Sequence, residues 1–340
     1  MSLNTALASD VAPPRPRAAA PHPVIRLIVQ RVALGVLTLW VVSVIIFAAT
    51  VALPGNAATA ILGHSATPAQ LHALEVQLHL NRSVFDQYGS WIGGILTGHP
   101  GKSLANGTPV WSIVGPAALN SAVLVAVSGV IASIAGVSLG VVAALRKDSL
   151  FDHASSVLAL AVTSLPEFVV AITLIILFAT VVWHVLPAVS LLAPGTYAWA
   201  NPRELILPVA TLVIVTVPYI TRMTRAAMVE ALASDYVEMA RLKGLPTRRV
   251  VVVYALPNAV APVVQVLGLT FLYLAGGIVV VEFVFAFPGI GQALVNAVTN
   301  RDVPVIQMIV LLLAAFYVLV NIIADVVALL ATPRRRLPRA

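Results

Sequence analysis

The chain has no cysteine, and only 10% of its 340 residues are charged. The first absence excludes disulfides, thiol nucleophiles and cysteine-ligated metals. The second sets it apart from soluble domains, in which about a quarter of residues carry charge. Catalytic patterns are missing as well. Neither H-E-x-x-H nor G-x-S-x-G occurs, and no nucleophile constellation can be assembled. The seven histidines are scattered; His72 and His79 share a helix face, but in a surface loop they are expected to be solvated. Gly101-Lys102-Ser103 ends like a phosphate-binding loop, yet G-x-x-x-x-G-K-[ST] needs a glycine at position 96, where Leu96 stands, and no strand precedes it. The chain should therefore hold no metal and no nucleotide of its own, and should catalyse nothing.

Hydrophobic residues make up 60% of the chain, gathered in blocks long enough to cross a bilayer, about 20 residues each. Six runs stand out: Val32–Leu53, Leu119–Leu145, Ala154–Leu186, Leu205–Thr221, Val250–Val281 and Val303–Ala324. Each suits a transmembrane helix, because in lipid a segment must satisfy its own backbone. A net charge of +7 could suggest nucleic acid, but the basic residues lie at the ends of apolar runs, which suits membrane topology instead. Only Arg82, Lys102, Arg203 and Arg301 of the 20 basic residues fall on one side; the N-terminus, the second and fourth loops and the C-terminus carry the rest. By the positive-inside rule both termini are cytoplasmic. The first run exceeds a signal-peptide core and lacks a clear A-x-A site, so it reads as a retained anchor.

Residues 1–23, rich in Ala and Pro, read as a disordered cytoplasmic tail, and 337–340 as a second short tail. The membrane domain spans 24–336, with an outer loop over 54–115 and an inner loop over 222–249. In the outer loop Thr67-Pro68 marks a helix start, Leu71, Leu74, Leu78 and His79 follow at helical spacing, and Asn81 offers a stop. A second short helix over Phe85–Leu96 carries Tyr88, Trp91, Ile92 and Ile95. This pair is either a lid on the bilayer or a docking surface for an external partner. Gly136 and Gly140 form G-x-x-x-G, best used for close packing inside the bundle.

Three carboxylates lie in or near apolar runs, and each needs a reason. Glu167, after Pro166, is placed near mid-bilayer in a kinked third helix, where it either lines a pathway or is a buried, hydrogen-bonded group. Glu282 precedes the turn Pro288-Gly289-Ile290-Gly291 and is expected chiefly to hold it, with pathway lining as the other option. Asp325, near Arg334 to Arg336, is expected to be solvated or ion-paired.

The most specific signal is Glu238-Met239-Ala240-Arg241-Leu242-Lys243-Gly244, followed after nine residues by Tyr254-Ala255-Leu256-Pro257. Asp235 is suited to cap a helix with Glu238 as its capping-box partner, and Arg241 and Lys243 favour its last turn. Gly244 suits the left-handed stop, with Pro246 blocking continuation. The expected helix, Tyr236–Lys243, presents Tyr236, Met239 and Leu242 on one side and Val237 with Ala240 on another.

The spacing E-x-A-x-x-x-G-x9-Y-x-L-P resembles the EAA signature of permease subunits of ATP-driven (ABC) importers, with Met239 and Tyr254 departing from its pattern. The likeness extends over roughly residues 24–336 to the peptide/nickel subfamily, which contains the B subunits of dipeptide and oligopeptide importers. It is carried by Ala66 to Gln70, Gln87-Tyr88 with Trp91, Asp235-Tyr236-Val237, Lys243 to Pro246, Asn258-Ala259, Glu282, Phe285, Pro288 to Gly291, Arg301 to Gln307 and Asp325. Asn56, where the family often has an acid, and Thr332-Pro333-Arg334 depart from it.

The resemblance implies an all-α integral membrane protein: a six-helix type I ABC importer permease with a cytoplasmic coupling helix. Asp235, Tyr236, Glu238, Met239, Ala240, Leu242 and Gly244 would engage the ATPase. The implied partners are a second permease chain of the C type, two ABC ATPase subunits that hold the ATP and Mg, an external substrate-binding protein and membrane lipid; nucleic acid is not among them. Peptides are the implied cargo. Nickel or another small solute, and a proton-coupled secondary transporter using Glu167, stay open as alternatives, the latter disfavoured by the absence of a detectable inverted repeat.

Overall fold

Apolar blocks bounded by Pro, Gly and charge become helices here because a backbone kept from water must satisfy its polar groups within each segment. The computed structural model describes residues 23–52, 67–77, 82–190 and 197–331. The expected tails, Asn56, the Asn81 stop, His79 and Thr332 to Arg336 lie outside the described residues.

The elements, in order, are α1 (Pro23–Val51), α2 (Pro68–Gln77), α3 (Val84–Leu96), α4 (Val110–Leu145), α5 (Leu150–Thr163), α6 (Glu167–Ile175), α7 (Pro202–Leu232), α8 (Asp235–Leu242), α9 (Thr247–Val284), α10 (Ile290–Thr299) and α11 (Val303–Ala331). No strand occurs among the described residues. α1, α4, α7, α9 and α11 are each long and apolar enough to span a membrane, and α5 with α6 forms a bent sixth.

That sixth span corrects the expectation of one kinked helix. Pro166 has no N–H to donate and disfavours helical geometry in the residue before it. α5 therefore ends at Thr163, and α6 starts afresh at Glu167 with its axis turned by 98°. The short Leu205–Thr221 run, which the sequence allows to extend into the turn holding Arg222 and Arg225, does so in α7 and continues to Leu232, into the expected inner loop.

The centre of the bundle is α4 laid along α7. The small residues make this possible. A Cβ on Gly136 would lie 2.6 Å from the Ile220 Cβ, and one on Gly140 2.7 Å from the Thr221 carbonyl. The G-x-x-x-G is thus used inside the chain, against α7. α9 packs on α7 and α11, and α11 on α1. Gln307 of α11 donates to Thr50 of α1 at 2.7 Å in a buried site, tying the first span to the last.

The two ends of the bundle carry separate apolar clusters. At one, Val110 and Val114 of α4 meet Ile290 and Ala297 of α10 and Val305 of α11. At the other, Ala144 and Met228 close over Val237, Ala240, Val250 and Ala255. The second cluster seats α8.

Candidate functional site

α8 is short because both of its stops are local. Ser234 is the N-cap, so the expected capping box between Asp235 and Glu238 does not form. Asp235 is the first helical residue, and the Ser234 hydroxyl turns back to the Ala231 carbonyl at 2.5 Å. Both carboxylates stay in the first turn, where they favour the helix dipole. At the other end Gly244 adopts φ +74°. Its N–H reaches the Arg241 carbonyl at 2.9 Å, and the Leu245 N–H reaches that of Ala240 at 3.3 Å, the paired bonds of a Schellman stop.

The faces separate as the spacing predicts. Val237 and Ala240 are buried, whereas Tyr236, Met239 and Leu242 are exposed, Leu242 at 75%. The chain turns at Gly244 and Pro246, so the second half of the motif returns to the first. Val250 to Ala255 form a widened π turn whose Val250, Val251 and Ala255 pack against Val237 and Ala240. Pro257 lies just beyond, and its missing N–H removes one regular helical bond from that turn. The nine-residue spacing is what this reversal requires. The result is an apolar patch standing clear of the bundle on a helix whose other face is held by three spans.

Glu167 sits in the first turn of α6, half-buried, instead of midway along a continuous helix. Its carboxylate lies against Gly277, where a Cβ would come within 2.6 Å of Oε1, and Tyr273 stands one turn earlier on the same face of α9. Tyr273, though not Glu167, lines a cavity of about 430 Å³ between α5, α7 and α9.

Glu282 does not share that setting. It is fully buried. Ser121 Oγ donates to it at 2.5 Å and the Gly291 N–H at 2.6 Å, while the Ile290 N–H donates to Ser121 Oγ at 2.8 Å. Asn120 adds a bond to the Pro288 carbonyl at 3.0 Å. A side chain at Gly289 would collide with the carboxylate. Glu282 thus clamps the turn onto α4 and the start of α10, and the pathway option is set aside for it.

Other expected contacts change partner. Asp325 pairs with Arg31 on α1 at 2.8 Å, because α1 and α11 run side by side. Tyr88 and Trp91 of α3 face inward: the Tyr88 ring meets Phe47 of α1 edge-on, the Trp91 ring lies tilted against it, and the Tyr88 hydroxyl meets Ser43 at 2.7 Å. They fasten α3 to a span and leave Phe85 and Leu96 outermost. The α2 start is as expected, Thr67 and Gln70 capping each other around Pro68.

Two contacts went unread in the sequence. Ser103 and the Leu104 N–H both bind Asp302, pinning the loop after α3 to the start of α11. Asp152 of α5 pairs with Arg225 of α7 beneath the surface. The only local hint was Ser149-Leu150-Phe151-Asp152, a helix-start pattern, in which Ser149 does cap α5.

Residues 136–337 match the family of binding-protein-dependent transport system inner membrane components, and residues 24–123 match the N-terminal part of membrane components of such systems. The di/tripeptide transport system permease protein DppB of Pseudomonas aeruginosa is 35% identical, over 91% of this chain and 98% of its own. The dipeptide transport system permease protein DppB of Escherichia coli K12 is 32% identical, over 92% and 99%. Among solved structures, a chain of the MetNI methionine ABC transporter in inward facing conformations superposes with a TM-score of 0.54. That likeness covers 65% of this chain and 96% of the other at 18% identity, and is one of fold.

Proposed function

Because this chain belongs to the family of binding-protein-dependent transport system inner membrane components, we propose that it is a permease subunit of an ATP-driven importer, carrying peptides across the cytoplasmic membrane. The peptide cargo is supported by the names of the dipeptide and di/tripeptide permeases it resembles along nearly their whole length. Its partners are a second permease chain, two ATPase subunits and an external binding protein. This chain supplies half the pathway, while ATP and Mg are held by the ATPases. Both termini are cytoplasmic, as is α8, in keeping with the skewed distribution of Lys and Arg.

The observation that carries this reading is the exposed apolar face of α8. Tyr236, Met239 and Leu242 project from a helix of eight residues that the Gly244 stop and its buried face hold in shape. A helix offering apolar side chains at this spacing binds a partner's groove. Its opposite face is fused to the ends of α4 and α7 and to the π turn of α9. Closure of the ATPases, by moving α8, therefore pulls on three spans at once, and the bundle alternates between its two openings.

Co-purification tests this. A tagged chain expressed with its neighbouring subunits should bring down an ATPase, and Met239→Asp with Leu242→Asp should lose it while the membrane subunits stay assembled. Undiminished ATPase in the double variant would remove α8 from the coupling role. No ATPase with the unmodified chain would remove the importer reading itself.

A further inference from the structure

The spans do not all present the same kind of surface. α1 exposes Val36, Leu37 and Trp40, and α11 exposes Leu319, Ile323 and Val327. Thr38, a polar residue on that side, returns its hydroxyl to the Leu34 carbonyl at 2.9 Å. Such faces suit hydrocarbon. The open edge of α9 is mixed: Gln265, Tyr273 and Gly276 lie exposed along it together with Leu269 and Val280. Thr163 at the end of α5 and Tyr219 of α7, 40% exposed, share a cavity with this edge, and Glu167 lies against its Gly277.

Every other carboxylate discussed within the spans is committed to a partner: Asp152 to Arg225, Asp325 to Arg31, and Glu282 to Ser121 and Gly291. Among the described residues Glu167 pairs with no cation. An acid in a membrane span without a counter-ion is where a functional contact is expected.

The cavity beside it is rich in acceptors. Thr163, Thr216 and Thr270 line it, and each has already donated its hydrogen within its own helix, to Ala159 at 2.9 Å, Leu212 at 2.6 Å and Val266 at 2.9 Å. Their oxygens are left to accept. Tyr219 and Tyr273 add hydroxyls at the rim, and Leu165 and Leu269 supply apolar wall. The volume, about 430 Å³, lies in the range that holds small ligands. Glu167 stands just outside this lining, its carboxylate against Gly277 one helical turn from Tyr273. An acceptor-rich pocket with apolar walls and an acid at its edge matches a donor-rich, cationic end of a small molecule.

We propose that this cavity receives the amino-terminal end of a peptide cargo, with Glu167, at its edge beside Gly277, pairing its ammonium. The assignment rests on the peptide-permease reading and adds to it the residues by which the membrane subunit recognises cargo. Gly277 leaves the space in which the carboxylate lies.

The test is equilibrium binding of labelled dialanine and of N-acetyl-dialanine to the purified, assembled transporter without its external receptor. The unmodified complex should bind dialanine more tightly than the acetylated form, by about tenfold or more for a charge-assisted contact. Glu167→Gln should lose that preference, with the two ligands brought level, while Glu167→Asp, which keeps the charge, should retain part of it. An unchanged preference in Glu167→Gln overturns the proposal. So does an equal loss for both ligands, or no saturable binding to the unmodified complex. Uptake by proteoliposomes of the unmodified transporter with its receptor separates the two levels. Dipeptide import with no Glu167 effect on binding overturns this site alone, whereas no dipeptide import overturns the peptide reading with it.

Discussion

Arg225 of α7 grips Asp152 of α5 with both ends of its guanidinium: Nη2 donates to Oδ2 at 2.6 Å and Nε to Oδ1. The aspartate is 2% exposed, and it also accepts the Asp148 N–H at 3.0 Å. The pair fixes the first half of the broken span to the helix that leads directly into α8.

Removing one member should strand a buried charge. Asp152→Ala is expected to destabilise the folded protein by about 3–5 kcal/mol, and replacing both residues with leucine by less than either single change. Thermal denaturation of the purified protein, followed by the fraction surviving size exclusion, checks this. Additive losses in the double variant would mean that the two side chains are not coupled.

Gly244 should tolerate little. A valine at φ +74° meets a left-handed penalty of about 1 kcal/mol or more, and the chain could no longer turn back so that the π turn covers Val237 and Ala240. Gly244→Val should insert normally, yet transport slowly and hold its ATPase weakly. Glu238→Ala should do much less, since that side chain contributes only through the helix dipole, about 0.3–1 kcal/mol. Uptake assays with quantified ATPase association distinguish them, and a fully active Gly244→Val would contradict the coupling role.

The cysteine-free chain permits single-site mapping of orientation. Arg248→Cys, on the exposed stretch after α8, should react with an impermeant maleimide only in inverted vesicles. Asn106→Cys, exposed at the far end, should react in intact cells. Ser103 would be a poor reporter, being 3% exposed and bound to Asp302. The opposite labelling pattern would invert the topology.

Glu282→Ala should leave Ser121 and the Gly291 N–H without their acceptor, at a cost of about 1–3 kcal/mol for each buried group left unpaired. Glu282→Gln, which keeps one acceptor oxygen, should recover part of it. Limited proteolysis between α9 and α10 reads the result, and equal protease sensitivity in all three proteins would mean that the clamp is dispensable.

The readable parts of the chain were those governed by neighbours in sequence. The apolar blocks became spans, Thr67-Pro68 started α2, and Gly244 with Pro246 stopped α8, each through a rule that acts over one helical turn. Even the two faces of α8 followed from spacing. The less readable parts involved a choice among distant partners. Asp152 and Arg225 are 73 residues apart, and Ser43 and Tyr88 are 45 apart.

Composition and periodicity determined that this is a membrane bundle, which segments cross, and where one short helix must begin and end. Tertiary structure decided that the run around Pro166 breaks into two helices at 98°, since a proline sets where a helix stops and packing against α7 and α9 sets where the chain goes next. It also decided which acids are spent. Asp152, Asp325 and Glu282 found cations or N–H groups on other helices, and Glu167, among the described residues, found no cation and lies against Gly277 at the edge of a cavity. A carboxylate's role depends on which donors come within about 3 Å of it, and that distance is set by folding, not by position along the chain.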